Sequence, residues 1–371
     1  MNQTVVSYLS QYEFYDVLLA AFGKNEGLLA FAIYLLGGVI IVGLCATIGG
    51  LGTFAERKIS ADIQQRLGPN RVGPYGILQF LADGVKMMTK EDVMPFTADK
   101  MLFYLAPMLA LVGVFATLAV LPFSSGLMMA DLNVGIFYLI AISSLVGVSV
   151  FLGGYASNSK WSMLGGMRGA SQIISYEIPV TISILAVTLL AGGMSFGTIM
   201  SHQRGLPTNW FIFHNPFAFI AGFVYFIGAL AETNRAPFDL PEAESELVSG
   251  YHTEYTGMRF GFFALAEYIE VFVVCGVGAA LFLGGSNLPF DISFDIIPLQ
   301  LLEVVIFMSK ALALYYVVIW IRWTFPRLRV DQLMAICWKY LTPIAIFNLI
   351  GCAVWVVVFN GKSIAELIFG H

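Results

Sequence analysis

LLAFAIYLLGGVIIVGLCATIGGL, residues 28–51, holds no charged side chain and no proline. The hydrocarbon core of a bilayer is about 30 Å thick, and about 20 apolar residues cross it as a helix. Residues 28–51 are long enough for that crossing, and the chain repeats the pattern. Further apolar runs lie at 102–121, 134–155, 173–191, 216–231, 260–284, 299–321 and 340–359, with bursts of charge between them. Together they predict about eight transmembrane helices, because a span in lipid must satisfy its own backbone hydrogen bonds. Composition points the same way. Of 371 residues, 58% are hydrophobic and 12% charged, against about 25% charged in ordinary soluble domains. The expected fold class is an all-α polytopic membrane protein.

Orientation follows from the cations between the runs. Arg57, Lys58, Arg66, Arg71, Lys86, Lys90, Lys100, Lys160, Arg168, Arg235, Arg259, Arg322, Arg327, Arg329 and Lys339 all fall on one side. Lys24, Arg204 and Lys362 fall on the other, and Lys310 lies inside the seventh run. This bias predicts charged loops in the cytoplasm and both termini outside. Residues 1–27 then form an external N-terminal segment, 28–359 a single transmembrane domain and 360–371 an external tail. No cleavable signal peptide is expected, since the N-terminus lacks an early positive region. Cys45, Cys275, Cys337 and Cys352 lie in or beside apolar runs, without Cys-x-x-Cys spacing. They read as small buried hydrophobes, not as ligands of zinc or of an iron–sulfur cluster.

Two cytoplasmic connections are patterned. The stretch 56–100 is punctuated by Gly68-Pro69 and Gly73-Pro74. Beyond them Gln79, Asp83, Lys86 and Lys90 share one helical face, and Ile77, Leu78, Leu81, Val85 and Met88 fill much of the rest. The spacing predicts an amphipathic helix at the cytoplasmic interface. The stretch 232–259 gathers Glu232, Asp239, Glu242, Glu244, Glu246 and Glu254, with Arg235 opposing them. It reads equally as a solvated acidic loop or as a relay.

Carboxylates inside spans are costly and usually functional. Glu177 precedes Pro179, whose ring frees the Ser175 carbonyl and predicts a locally open, hydrated helix. Glu267 and Glu270 share one face of the sixth run. Glu303 and Lys310 stand two turns apart in the seventh, as a distant pair or as groups reaching an interface. With the acidic loop, these groups suggest a polar line from cytoplasm into membrane. Other chemistry is not indicated. Gly49-Gly-Leu-Gly52 sits in an apolar run, where a dinucleotide fingerprint needs a strand-to-helix turn. Residues 165–169, GGMRG, read as a short polar loop. His202, His214, His252 and His371 are scattered and read as satisfied or exposed side chains. The basic loops fit membrane topology, and nothing resembles a nucleic-acid surface.

Three stretches carry a resemblance. AERKISADIQQRLGPNRVGPYG (55–76), continued by LADGVK (81–86) and KED (90–92), resembles the first cytoplasmic loop of the H-subunit family of respiratory complex I, the NADH:quinone oxidoreductase. AETNRAPFDLPEAESELVSG (231–250) is similar to that family's most specific stretch, and WTFPRLRVDQLM (323–334) is a third match. The likeness covers roughly residues 30–355. It implies a membrane component of the bacterial inner membrane, at the junction with a hydrophilic arm, that builds part of a chamber for quinone, either ubiquinone or menaquinone. It implies Arg57, Lys58, Gln64, Arg66, Phe80, Asp83 and Lys86 as chamber residues. Glu56, Glu177, Glu232, Arg235, Asp239, Glu242, Glu244, Glu246, Glu254, Glu267 and Lys310 are the residues expected to couple quinone reduction to proton movement. NADH, FMN and the Fe–S clusters would bind in hydrophilic-arm partners, and pumping would run through antiporter-like and small membrane subunits. Two other readings differ in partners: a membrane component of a related membrane-bound hydrogenase with Ni–Fe partners, and an autonomous ion transporter with none.

Overall fold

A computed structural model describes residues 26–126, 128, 130–288, 297–359, 363 and 364. Residues 1–25 of the expected N-terminal segment and nearly all of the C-terminal tail therefore lie outside the described residues, while residues 26 and 27 open the first helix. Every regular element among those described is helical. The principal helices are α1 (Glu26–Ile63), α2 (Gln79–Thr89), α3 (Lys100–Leu118), α4 (Gly135–Ala156), α5 (Lys160–Ala191), α6 (Pro216–Glu232), α7 (Gly257–Phe282), α8 (Ile297–Thr324) and α9 (Val330–Phe359). Seven are long and apolar enough to cross a membrane. The other membrane candidate, α6, has 17 residues, or about 25 Å at 1.5 Å per residue. Its start is fixed by Asn215, whose side chain accepts from the Ala218 N–H at 2.5 Å, a standard N-cap contact.

Two helix ends differ from the sequence reading. Helix α1 runs to Ile63, so Glu56, Arg57 and Lys58 are helical and not part of a loop. A change from apolar to charged side chains changes the solvent around a helix but does not break it. The first strong breaker is Gly68-Pro69. Likewise GGMRG at 165–169 is not a loop but the second to third turn of α5. Its glycines serve close packing: a Cβ on Gly166 would meet the Gly154 Cα of α4 at 3.0 Å, and one on Gly165 would meet the Gly250 Cα at 2.7 Å. Small residues at such crossings let backbones approach where lipid supplies no hydrophobic drive.

Helix α5 packs against α4, α6 and α9, while α7 packs against α1, α3 and α8. The two groups join through α3 and α4 and meet only loosely along α6 and α7. That loose seam holds the cavities described below. Helix α2 forms as expected and folds back along α1, with Phe80 over Gly50. Leu81, Val85 and Met88 on α2 are exposed. The Ser175 carbonyl freed by Pro179 is not open to water. The Cys337 thiol donates to it at 3.1 Å, from a π-helical turn (Ile336–Leu341) in α9. The adjacent Tyr176 hydroxyl donates to the Leu333 carbonyl at 2.8 Å.

The close α4–α5 crossing gives a stability prediction. Gly154→Val drives a branched side chain toward the Ser162 carbonyl, 2.7 Å from a Cβ, and should cost at least about 1–3 kcal/mol. Gly84→Ala in α2, with open space around its Cβ, should be neutral or stabilising by up to about 1 kcal/mol. Thermal unfolding of the detergent-solubilised protein would show a lowered midpoint for the first variant only.

Candidate functional site

Neighbouring parts of α1, α6, α7 and α8 converge on one buried carboxylate. Glu56 lies on the last third of α1 and is 6% exposed. Arg235, from the turn after α6, approaches it at 3.2 Å. Arg322, from the last turns of α8, pairs with its other oxygen. The Arg235 guanidinium stacks over the Tyr268 ring of α7, 4.2 Å from the centroid. Two guanidiniums on one carboxylate leave a net positive charge here, and further acids lie close by.

The acidic stretch 232–259 is folded down onto the helices. Among its described carboxylates only Glu246 is exposed, paired with Arg168 of α5 at 2.7 Å. The Glu244 side chain lies outside the described residues, and Glu254 is half-buried. Asp239 pairs with Arg327 at 2.7 Å, and the Leu328 N–H donates to the Pro237 carbonyl at 3.0 Å. The WTFPRLR stretch is thereby tied to the acidic one. Burial pushes the Asp239 carboxyl above its usual range, and Arg327 only partly offsets it. Gln172 of α5 holds the loop from inside, donating to the Ala231 and Phe238 carbonyls at 2.7 and 2.8 Å.

At the loop's far end His252 stands between two carboxylates. Its Nε2 lies 2.6 Å from Glu242 and 3.3 Å from Glu267 of α7. The Tyr251 hydroxyl donates to Glu267 at 2.7 Å. Burial disfavours a charged imidazole, but the two carboxylates outweigh it and hold the His252 pKa up at about 10. Deeper in the membrane, Glu177 of α5, Glu232 at the end of α6 and Glu270 of α7 line one cavity of about 40 Å³, with Thr117, Ser143 and Thr181.

The residues expected around a quinone chamber lie on the α1–α2 junction. Arg57 and Asp83 pair at 2.5 Å, and Lys86 is 3.9 Å from Asp83. Lys58 donates to the Asn70 side chain at 2.5 Å, and Arg66 donates to Gln64 at 2.6 Å. Gln64, Arg66 and Lys86 are exposed, and Phe80 is half-buried. Lys310 stands apart from the carboxylates. Its ammonium donates to the carbonyls of Leu283 and Gly285 at 2.8 and 2.9 Å, and it lies 4.4 Å from the Trp210 ring centroid. It thus caps the C-terminal end of α7, where a cation is favoured. Glu303 is not its partner: it accepts from Ser124 and Ser125 at 2.8 Å.

Sequence reading missed three members of this site. Arg322 counted only as a topology cation, Tyr268 went unmentioned, and His252 read as a scattered histidine. Glu270 was noticed but left out of the coupling set. For His252 the usable signal was its place within 232–259, ten residues after Glu242.

Substitution should separate the buried pair from the exposed one. Glu56→Ala leaves two buried or half-buried guanidiniums unpaired and should destabilise by about 3–5 kcal/mol. Asp83→Ala breaks a pair in which Arg57 is half exposed and should cost about 1 kcal/mol or less. Thermal midpoints of the two variants would show the difference. The folded His252 pKa is raised from 6.5 to about 10. Its stabilisation should be complete below pH 6.5 and lost as pH rises through about 10. Protease protection of the 239–256 segment, followed against pH, should show that loss in the parent chain, and His252→Gln should remove the dependence.

Comparison with known proteins gives one consistent answer. The profile of the family described as NADH dehydrogenase matches residues 36–353. The NADH-quinone oxidoreductase H subunit of Bacteroides fragilis is 47% identical over 341 residues, covering 90% of this chain and 94% of that protein. The corresponding protein of Chlorobaculum tepidum is 46% identical over 317 residues, covering 82% and 87%. That of Anaeromyxobacter dehalogenans is 43% identical over 334 residues, covering 86% and 81%. The three similar stretches of sequence, the helical membrane fold and these relatives agree: the chain belongs to the H-subunit family of NADH-quinone oxidoreductase, a multi-subunit membrane enzyme.

Proposed function

We propose that this chain forms one wall of the quinone chamber with its α1–α2 junction and transmits the charge of quinone reduction to carboxylates in the membrane. The observation that carries the reading is the continuity of buried ionisable groups. The Arg57–Asp83 pair borders the exposed junction, and Glu56, its neighbour on α1, binds Arg235 and Arg322. Arg235 leads over Tyr268 to α7, which carries Glu267 and Glu270. Glu267 meets His252 and Glu242, and Glu270 meets Glu177 and Glu232 at one cavity.

Quinone reduction takes up electrons before its protons are all in place, so negative charge develops at the ring. Arg57, Lys58 and Arg66 lie where they can offset that charge, directly or by holding the loop 64–78. A charge arriving near Glu56 changes the balance on Arg235. The Coulomb energy between groups at 3–4 Å is several-fold larger in a dry interior than in water, so a change at one pair shifts proton occupancy at the next. The carboxylate cavity suits this role. About 40 Å³ holds a few waters at about 10–15 Å³ each, enough to bridge carboxyl groups. Electrons would come from Fe–S centres and FMN in hydrophilic-arm subunits, and antiporter-like and small membrane subunits would carry the pumped protons. The bias of Lys and Arg along the chain supports a cytoplasmic α1–α2 junction with both termini outside, in a bacterial inner membrane.

Substitution tests the reading. Glu177→Gln and Glu267→Gln keep shape and hydrogen bonding but remove the charge. In proteoliposomes containing the whole enzyme, each should lower NADH-driven proton uptake by tenfold or so, the scale of a shift of about 1.4 kcal/mol. Electron transfer to a soluble acceptor that bypasses quinone should persist. Full proton uptake in both variants would overturn the coupling role.

A further inference from the structure

The loose seam between α6 and α7 holds a second cavity, which none of the chemistry above uses. It is bounded by α6, α7 and α8, and it has a volume of about 260 Å³, or about 890 Å³ when every gap out to its mouth is counted. Its lining includes Phe223 and Phe226 of α6, Val271 and Cys275 of α7, and Leu314 and Val317 of α8. Phe223 is half exposed, while Val271 and Cys275 are buried. Gly222 and Gly278, also in the lining, leave room for the Phe282 and Tyr225 rings, which lie 3.3 and 3.0 Å from where a Cβ would stand.

Shape and chemistry select the occupant. Lining positions run from Gly222 to Thr233 on α6 and from Val271 to Leu283 along α7, roughly 17 Å at about 1.5 Å per residue. Even the larger volume then gives a mean cross-section of roughly 50 Å², whereas an α-helix about 10–12 Å across needs roughly 80–110 Å². A partner helix does not fit. A polar ligand finds little to bind, because the Tyr225 hydroxyl gives its proton to the Val274 carbonyl at 2.9 Å and the Thr233 hydroxyl to the Leu230 carbonyl at 3.1 Å, leaving only their acceptor lone pairs and the Cys275 thiol. The slot lies within membrane-spanning helices, where its surroundings are hydrocarbon chains. We infer that it seats one acyl chain of a membrane phospholipid, entering sideways between α6 and α8.

The position has a consequence for the carboxylates. Tyr225 and Val274 line both the slot and the Glu177–Glu232–Glu270 cavity. They are a wall one side chain thick between lipid and buried acids. A seated chain packs against the outer face of that wall and holds water out of the seam. Lipid seating rests on the cavity's geometry and is independent of the coupling role proposed above.

The test uses the whole purified enzyme in liposomes containing a phospholipid with a diazirine midway along one acyl chain. After a chase with excess unlabelled phospholipid and irradiation, label should remain on peptides carrying 223–226 and 271–275. It should be lost from these peptides in Val317→Trp and in Ala229→Phe, which fill the mouth and the interior. If either variant fails to assemble, the chase on the parent enzyme decides alone. Label that washes out in the chase overturns the inference. So does displacement of the label by a quinone analogue, or crosslinking of a diazirine amino acid placed at 223 to another protein of the complex instead of to lipid.

Discussion

A single carboxylate with two guanidiniums, Glu56 between Arg235 and Arg322, holds one end of this molecule together. Burying a charge is expensive unless it is paired and hydrogen-bonded. Here the partners come from three segments far apart in sequence: α1, the turn after α6 and the end of α8. Glu56 and Arg235 are both buried, so neither charge is tolerable in its place without a partner. The requirement fixes how α1, α7 and α8 sit relative to the acidic stretch. That stretch can then fold inward, with Gln172 and the Asp239–Arg327 pair locking it.

Once the acidic stretch is folded inward, its groups meet those of the membrane. Glu242 belongs to the loop and Glu267 to α7, and His252 joins them. Two helices that serve as packing hubs, α5 and α7, stay apart at this level. The space between them receives Glu177, Glu232 and Glu270, and behind Tyr225 and Val274 an apolar slot opens between α6, α7 and α8. The loose seam is thus a structural necessity for any buried polar cavity here. Close packing along α6 and α7, of the kind seen where α4 crosses α5, would leave no room for it.

Much of the architecture was legible from hydropathy. The runs at 28–51, 102–121 and 134–155 each mark a helix, because only intrahelical hydrogen bonds satisfy a backbone in lipid. The face formed by Gln79, Asp83 and Lys86 gave α2. What hydropathy misplaced were ends and interruptions. Arg57 and Lys58 read as loop because charge marks the membrane boundary, yet α1 continues beyond it to Ile63, ahead of the first Gly-Pro. Gly165 and Gly166 read as loop because glycine disfavours isolated helices, yet they are where a neighbouring backbone needs space.

By itself the sequence determined that this chain lives in a membrane as a bundle of helices, and which carboxylates lie in or near it. Those follow from local composition, which a solvent as selective as lipid converts directly into structure. Tertiary structure alone decided the pairings: that Arg322 serves Glu56, that Lys310 caps α7 and leaves Glu303 to two serines, and that His252 bridges two acids. Pairing depends on distances between segments separated by up to a few hundred residues. No local pattern encodes such distances, because charge type says only that a partner is needed and packing says which one is within reach.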